Sequence, residues 1–278
     1  MNRSHAFLFD LQNGTRFIAK KLLIVPVVVS LVCFELELRQ KEEILLQAQY
    51  APTLPTLGDF ALYLFGGMKP YVPNPDEPFL FPVAWFLIFG ICLFLTLSYP
   101  IHDRETYGKM VVVYSGSRTK WWLAKCAWIF AATVLYFVCC WIVLVTDCLL
   151  YGGQFTFEIS PYMRDIFQLG DAFPTEEWNM RNVLVLLPPL IAFSLGMLQM
   201  LLTLWFRPII CFLITAVLML ASAYFSVPVL IGNYALCIRS NEIFPGGFSF
   251  ISGVGYAAIL SLLCIWIGKQ RFLKYDLY

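Results

Sequence analysis

Long apolar runs alternate with short charged connections along this chain, and the apolar runs are of membrane length. Crossing the hydrocarbon core takes about 20 mostly apolar residues. Six segments meet that length, some with help from their flanks: about 18–38, 79–101, 121–151, 183–206, 209–229 and 254–268. The first has a short purely apolar part, Leu22 to Phe34, with Lys20 and Lys21 placed to snorkel at one end. Glu35 with Arg39 and Glu37 with Lys41 are i,i+4 pairs, which predicts that this helix continues past its apolar part. Ahead of it, residues 1–17 mix apolar and polar positions in the manner of an amphipathic helix on the inner membrane surface, with Asn13-Gly14 as a break before the first span. The fold class predicted is an all-α integral membrane protein: an interfacial segment at 1–17, then a single six-span domain at 18–278.

Composition agrees with this pattern. Hydrophobic residues make up 60% of the chain and charged residues 13%, against about 45–50% and about 25% in a soluble domain. The net charge of +1 gives no electrostatic case for nucleic acid. Asp10, Asn13 and four basic residues precede the first long apolar run, which predicts an uncleaved start.

Orientation follows from Lys and Arg in the connections. Arg3, Arg16, Lys20, Lys21, Arg104, Lys109, Arg118, Lys120, Lys125, Arg207, Lys269, Arg271 and Lys274 fall on one side of the six-span arrangement. Arg39, Lys41, Lys69, Arg164, Arg181 and Arg239 fall on the other. The richer side, with both chain ends, is expected to be cytoplasmic.

The opposite loops carry short helical signals. "PTLGDFALYLFGG" has Thr56 as N-cap and Gly66 as stop; "ISPYMRDIFQLG" has Ser160 as N-cap, Pro161 at the first helical position and Gly170 after the last. Both are expected to lie on the outer surface. "SNEIFPGGFSFISG" reads equally as a re-entrant turn or a loop. Trp85, Trp121, Trp122, Trp178, Trp205 and Trp266 fall near span ends, as in an aromatic belt.

Residues able to carry chemistry are few. Nine cysteines lie mostly inside apolar runs, where they serve as small apolar residues; a Cys148–Cys237 disulfide is conceivable, since both fall near outer span ends. His5 and His102 are far apart, and no metal constellation is visible. Asp147, in the outer third of the third span, is a candidate substrate-path residue or simply an interface residue facing water. No nucleophile, zinc or phosphate-loop motif is present, so no catalysis is expected of this chain; if ATP drives the protein, another chain binds it.

One connection stands apart: "HDRETYGKMVVVYSGSRTKWWLAK", from His102 to Lys125. Asp103 suits a helix start and Glu105 pairs with Lys109 at i,i+4. Met110 to Tyr114 then form an apolar run too short to span anything, and Gly116-Ser117 suit a stop and a new start. Topology explains the basic charge here but not an apolar run on a cytoplasmic helix, which points to a partner or the membrane surface; a soluble partner's groove would suit such a helix.

This stretch resembles the region between the second and third spans of ABC type-2 permeases. In that family an acidic residue, a Gly three positions on, a Ser-Arg pair and a Lys opening the next span form the coupling helix and its exit. The matching positions are Glu105, Gly108, Ser117, Arg118 and Lys125. The loops at Glu35–Pro78 and Gly152–Asn182 are longer than in many members. The resemblance implies an exporter permease subunit in a bacterial cytoplasmic membrane, moving a hydrophobic or amphiphilic substrate such as a peptide, lipid or drug-like molecule. It implies a second permease subunit, identical or related, and an ABC-type ATPase subunit that holds ATP and magnesium, with no cofactor on this chain. Glu105, Tyr107, Gly108, Met110, Val112, Tyr114 and Arg118 would contact that ATPase. A membrane-embedded enzyme, an ion-gradient carrier, and a non-transporting scaffold or sensor partner of an ABC ATPase are the competing readings.

Overall fold

The computed structural model describes residues 3–47, 54–73, 78–105, 118–169 and 177–273. Among these the structure is all helical, with two isolated β-bridges as the only ladder pairing. The helices are α1 (Arg3–Leu22), α2 (Ile24–Gln47), α3 (Leu57–Phe65), α4 (Val83–Glu105), α5 (Arg118–Leu150), α6 (Pro161–Ile166), α7 (Glu177–Leu202), α8 (Pro208–Tyr224) and α9 (Phe250–Leu273). Two 3-10 turns, Ile231–Ala235 and Cys237–Arg239, join α8 to α9.

Among the described residues, four helices are long and apolar enough to cross a membrane: α4 through Asp103, α5, α7 and α9. α1 and α2 together add a fifth, bent by 41°. The bend falls at Leu23, not at Asn13-Gly14, and α1 runs unbroken through that pair to Leu22. Pro26 lacks the N–H that would bond the Leu22 carbonyl, and its ring crowds the preceding turn, which accounts for a break just upstream. Gly14 lies within α1 and packs on α5: a Cβ there would lie 1.8 Å from Nε1 of Trp128. Past the bend α2 continues to Gln47, and both expected ion pairs form, Glu35–Arg39 at 2.6 Å and Glu37–Lys41 at 2.9 Å. α8 is shorter than the expected 209–229, with 17 residues ending at Tyr224, whereas α9 is longer than 254–268 at both ends.

Among the described residues, most buried apolar side chains fall in two clusters. One, containing Tyr99, Trp121, Trp122, Trp128, Met200 and Phe272, lies at the end where 106–117 joins α4 to α5, here called the elbow end. The larger one fills the rest of the bundle up to the opposite, loop end. Trp85, Trp121 and Trp122 are core residues and not belt residues, while Trp178, Trp205 and Trp266 are exposed. An indole on a close-packed face is buried by its neighbours whatever its depth, and Gly268 shows how closely Trp122 is held: a Cβ there would lie 1.8 Å from its ring.

α3 departs most from expectation. It is capped as its sequence predicts, with a reciprocal capping box between Thr56 and Asp59 and Gly66 at its end. Yet it does not lie on a surface: eight of its nine residues are buried. The following loops cover it. Leu57 N and Gly58 N donate to the carbonyls of Gln154 and Thr156, each at 3.0 Å, and Thr56 Oγ1 donates to Glu158 at 2.6 Å. Asp59 ties both loops together, its Oδ2 accepting from Thr56 N at 3.1 Å and its Oδ1 from Ser160 N at 2.9 Å. α6 begins with Ser160 and Pro161 as expected but ends at Ile166, with Gln168 at φ 48°; Gly170 lies outside the described residues.

Burial raises the Asp59 carboxyl above its usual 3.8, only partly opposed by the N–H donors of Ser160 and Thr56. The folded chain therefore holds this proton more tightly than the unfolded chain. Asp59 stabilises the fold most below pH 3.8, and that contribution falls as pH rises through the elevated value. Asp59→Asn should remove this component of the pH dependence. It should also cost about 1–3 kcal/mol, because a side-chain amide cannot accept on both sides and leaves one buried backbone N–H unmet. Thermal melts of the two proteins across acidic pH check both outcomes; parallel pH curves would contradict the assignment.

Candidate functional site

The elbow 106–117 leaves α4 and enters α5, so the site is built from the last turns of one helix and the first of the other. Asp103 sits near the C-terminal end of α4 and does not start a helix, as its sequence position had indicated; α4 runs through it to Glu105. Its Oδ2 lies 2.8 Å from Lys125 Nζ and accepts from Trp121 Nε1 at 3.0 Å. The Lys125 side chain is 1% exposed, and its ammonium also lies 4.5 Å from the Tyr99 ring centroid and 5.3 Å from that of Trp121. A lysine this deep is tolerable because carboxylate and aromatic faces replace its water. The two stems of the elbow are thus joined by a buried ion pair.

Two further helices are fixed to this pair. Trp121 stacks on Phe272 of α9 at 4.8 Å and 16°. Trp122 Nε1 donates to the Ile265 carbonyl at 3.2 Å. Arg118, the first residue of α5, donates to the Leu273 carbonyl at 2.9 Å, where α9 ends. On the other side Phe17 of α1 stacks on His102 at 4.7 Å and 19° and meets Tyr99. Tyr99 in turn lies 4.7 Å from Trp128, the ring that rests on Gly14. A cavity of about 10 Å³ remains between Pro100, Trp121, Thr203 and Phe272, room for a single water. The arrangement is a packed junction of α1, α4, α5 and α9.

Of the residues expected to form the coupling elbow, Arg118 is placed here, and Glu105 ends α4 with its side chain outside the described residues. Tyr107, Gly108, Met110, Val112 and Tyr114 lie outside the described residues, as do Gly116 and Ser117. Lys125, expected as a basic residue opening the span, is instead fully buried.

Asp147 lies far from this junction. It does not face water: it is 6% exposed, the Cys33 thiol of α2 lies against its carboxyl, and its Oδ2 accepts no hydrogen bond among the described residues. Cys148 and Cys237 are buried thiols, donating to the Gln154 carbonyl at 3.7 Å and the Val183 carbonyl at 3.8 Å. Among the described residues, no three His, Cys, Asp or Glu side chains gather in a way that could hold a metal ion.

Arg239 was counted in the sequence only as one loop charge. It is 0% exposed. Its Nε donates to Met68 O at 3.0 Å, Nη1 to Ser222 O at 2.7 Å and to Asn233 Oδ1, and Nη2 to Lys69 O at 3.0 Å and Ala223 O at 2.6 Å. All five guanidinium N–H groups are satisfied. Ser222 and Ala223 belong to the last turn of α8, whose carbonyls have no helical partner, so Arg239 acts as its cap. Asn233 Nδ2 extends the cap to Phe225 O and Val227 O, both at 2.9 Å. Burial pushes the Arg239 guanidinium down to about 10, which leaves it charged at neutral pH.

Neither the curated proteins nor the solved structures include a match to this chain. A family match covers residues 77–278, beginning shortly before α4 and taking in the elbow, the junction residues of α4, α5 and α9, and Arg239; α1, α2 and α3 precede it. On that match the chain belongs to the family described as "Protein of unknown function (DUF2705)".

Proposed function

We propose that this chain is the permease subunit of an ATP-driven ABC type-2 exporter, with residues 102–125 as the elbow on which a separate ATPase docks. The observation that carries the reading is the buried Asp103–Lys125 pair joining the elbow's two stems. A docking helix transmits force only if its base does not yield. Here both stems share one desolvated ion pair, and α1 and α9 are fastened to them through Phe17, Phe272 and Arg118. Displacing the elbow would therefore move four helices together. ATP would shift the permease between states only by binding the two states unequally through the ATPase.

The topology proposed has six spans with both ends cytoplasmic. The bent pair α1–α2 serves as one span and the short α8 as another, beside the four long helices. At about 1.5 Å per residue, the 17 residues of α8 fall short of a hydrocarbon core about 30 Å thick. The cap by Arg239 and Asn233 supports a helix that stops at that depth, since it satisfies carbonyls that lipid cannot. The buried polar groups of the spans are mostly hydroxyls and the Gln199 amide, with few charges, which favours a hydrophobic or amphiphilic substrate.

Affinity purification of the tagged chain from its own membrane tests the reading. It should bring down a phosphate-loop ATPase and a second permease chain, identical or related. Recovery of the intact chain without any ATPase would count against it.

A further inference from the structure

We propose that the corner formed by the α7–α8 turn and the end of α9 binds the headgroup of an anionic phospholipid, with Arg207 and Arg271 as its phosphate ligands. The Arg271 guanidinium lies over Trp205 of the turn, 5.5 Å from the ring centroid. Arg207, two residues on, precedes α8 as its N-cap residue without making a side-chain cap bond. Both arginines are exposed, and among the described residues neither is in an ion pair. α8 and α9 carry no acidic residue. The positive end of the α8 dipole opens into the same turn.

The neighbours identify the occupant. Trp205 and Phe206 are each 47% exposed, and Ile209 is 64% exposed. A free anion would answer the charges but leave these side chains in water. The boundary between headgroups and acyl chains answers both, since the rings enter hydrocarbon while the guanidiniums stay among phosphates. Guanidinium also matches phosphate geometry in a bidentate way. A zwitterionic headgroup brings a cation that finds no carboxylate on these elements, so the preference is for net negative lipid. The proposal does not depend on the exporter reading.

The full chain is reconstituted in nanodiscs of phosphatidylcholine, with and without phosphatidylglycerol. The wild type should melt several degrees higher with phosphatidylglycerol and retain that lipid in native mass spectra. Arg207→Gln with Arg271→Gln should lose both effects while melting like the wild type in phosphatidylcholine alone; Lys269→Gln should keep both. If the double variant does not fold, Arg207→Gln alone carries the test and should lose part of the gain. An undiminished gain in these variants overturns the site. So does an equal gain in phosphatidylcholine discs from inorganic phosphate or from soluble polyglutamate, which would assign the corner to a free anion or to an acidic protein partner.

Discussion

Arg239→Ala is expected to leave little folded protein. The substitution removes five donors at once and strands the carbonyls of Met68, Lys69, Ser222 and Ala223 together with the Asn233 amide oxygen. Each buried acceptor left unmet costs about 1–3 kcal/mol, and water recovers some of them, so a loss of at least about 3 kcal/mol is expected. Arg239→Lys should restore only part of this. An ammonium keeps the charge but offers three donors on one atom, where five acceptors are arrayed around a planar fork. The order of thermal midpoints in detergent should be wild type, then Lys, then Ala. The damage should centre on the end of α8, visible as faster amide exchange at Ala223 and Phe225. Equal midpoints for the Lys variant and wild type would contradict the fork geometry.

Breaking the elbow junction should cost nearly as much. Asp103→Leu removes the anion and leaves the Lys125 ammonium buried against two aromatic rings, for which about 3–5 kcal/mol is expected. Lys125→Met leaves a buried carboxylate with the Trp121 N–H as donor and should be similarly costly. Asp103→Leu combined with Lys125→Met should recover most of the loss, because an apolar pair of similar size needs no compensating charge. Melting of all four proteins checks this. If the two single changes add up in the double variant, the pair is not coupled and the junction is not held by its charges.

Much of this architecture was legible in local sequence. Apolar run lengths locate the four long helices, because a helix that must satisfy its own backbone in lipid announces itself by composition. The caps at Thr56 and Ser160 and the ion pairs on α2 were legible too, since they rest on residues three or four apart. What escaped were contacts between residues far apart in the chain. Asp103 and Lys125 each had a good local explanation, a cap and an inward-side charge, and only the packing of α4 on α5 turns them into a pair. Arg239 looked like a loop charge because four of its five acceptors are backbone carbonyls, which no residue type encodes. A Trp near a span end is equally compatible with a belt or a core, and the glycines opposite Trp122 and Trp128 were the available signal for the core. α3 was expected at a surface because its apolar face suggested a helix lying there; the 152–160 loop that covers it lies about a hundred residues on.

The central claim is that the elbow between α4 and α5 docks an ATPase. Its most direct test compares the tagged wild type with a Met110→Asp, Val112→Asp variant, measuring the phosphate-loop ATPase that co-purifies per folded, membrane-inserted chain. The account predicts stable recovery with the wild type and loss of most of it with the variant, at unchanged insertion and thermal midpoint. Equal recovery with both proteins, or none with either, would contradict it.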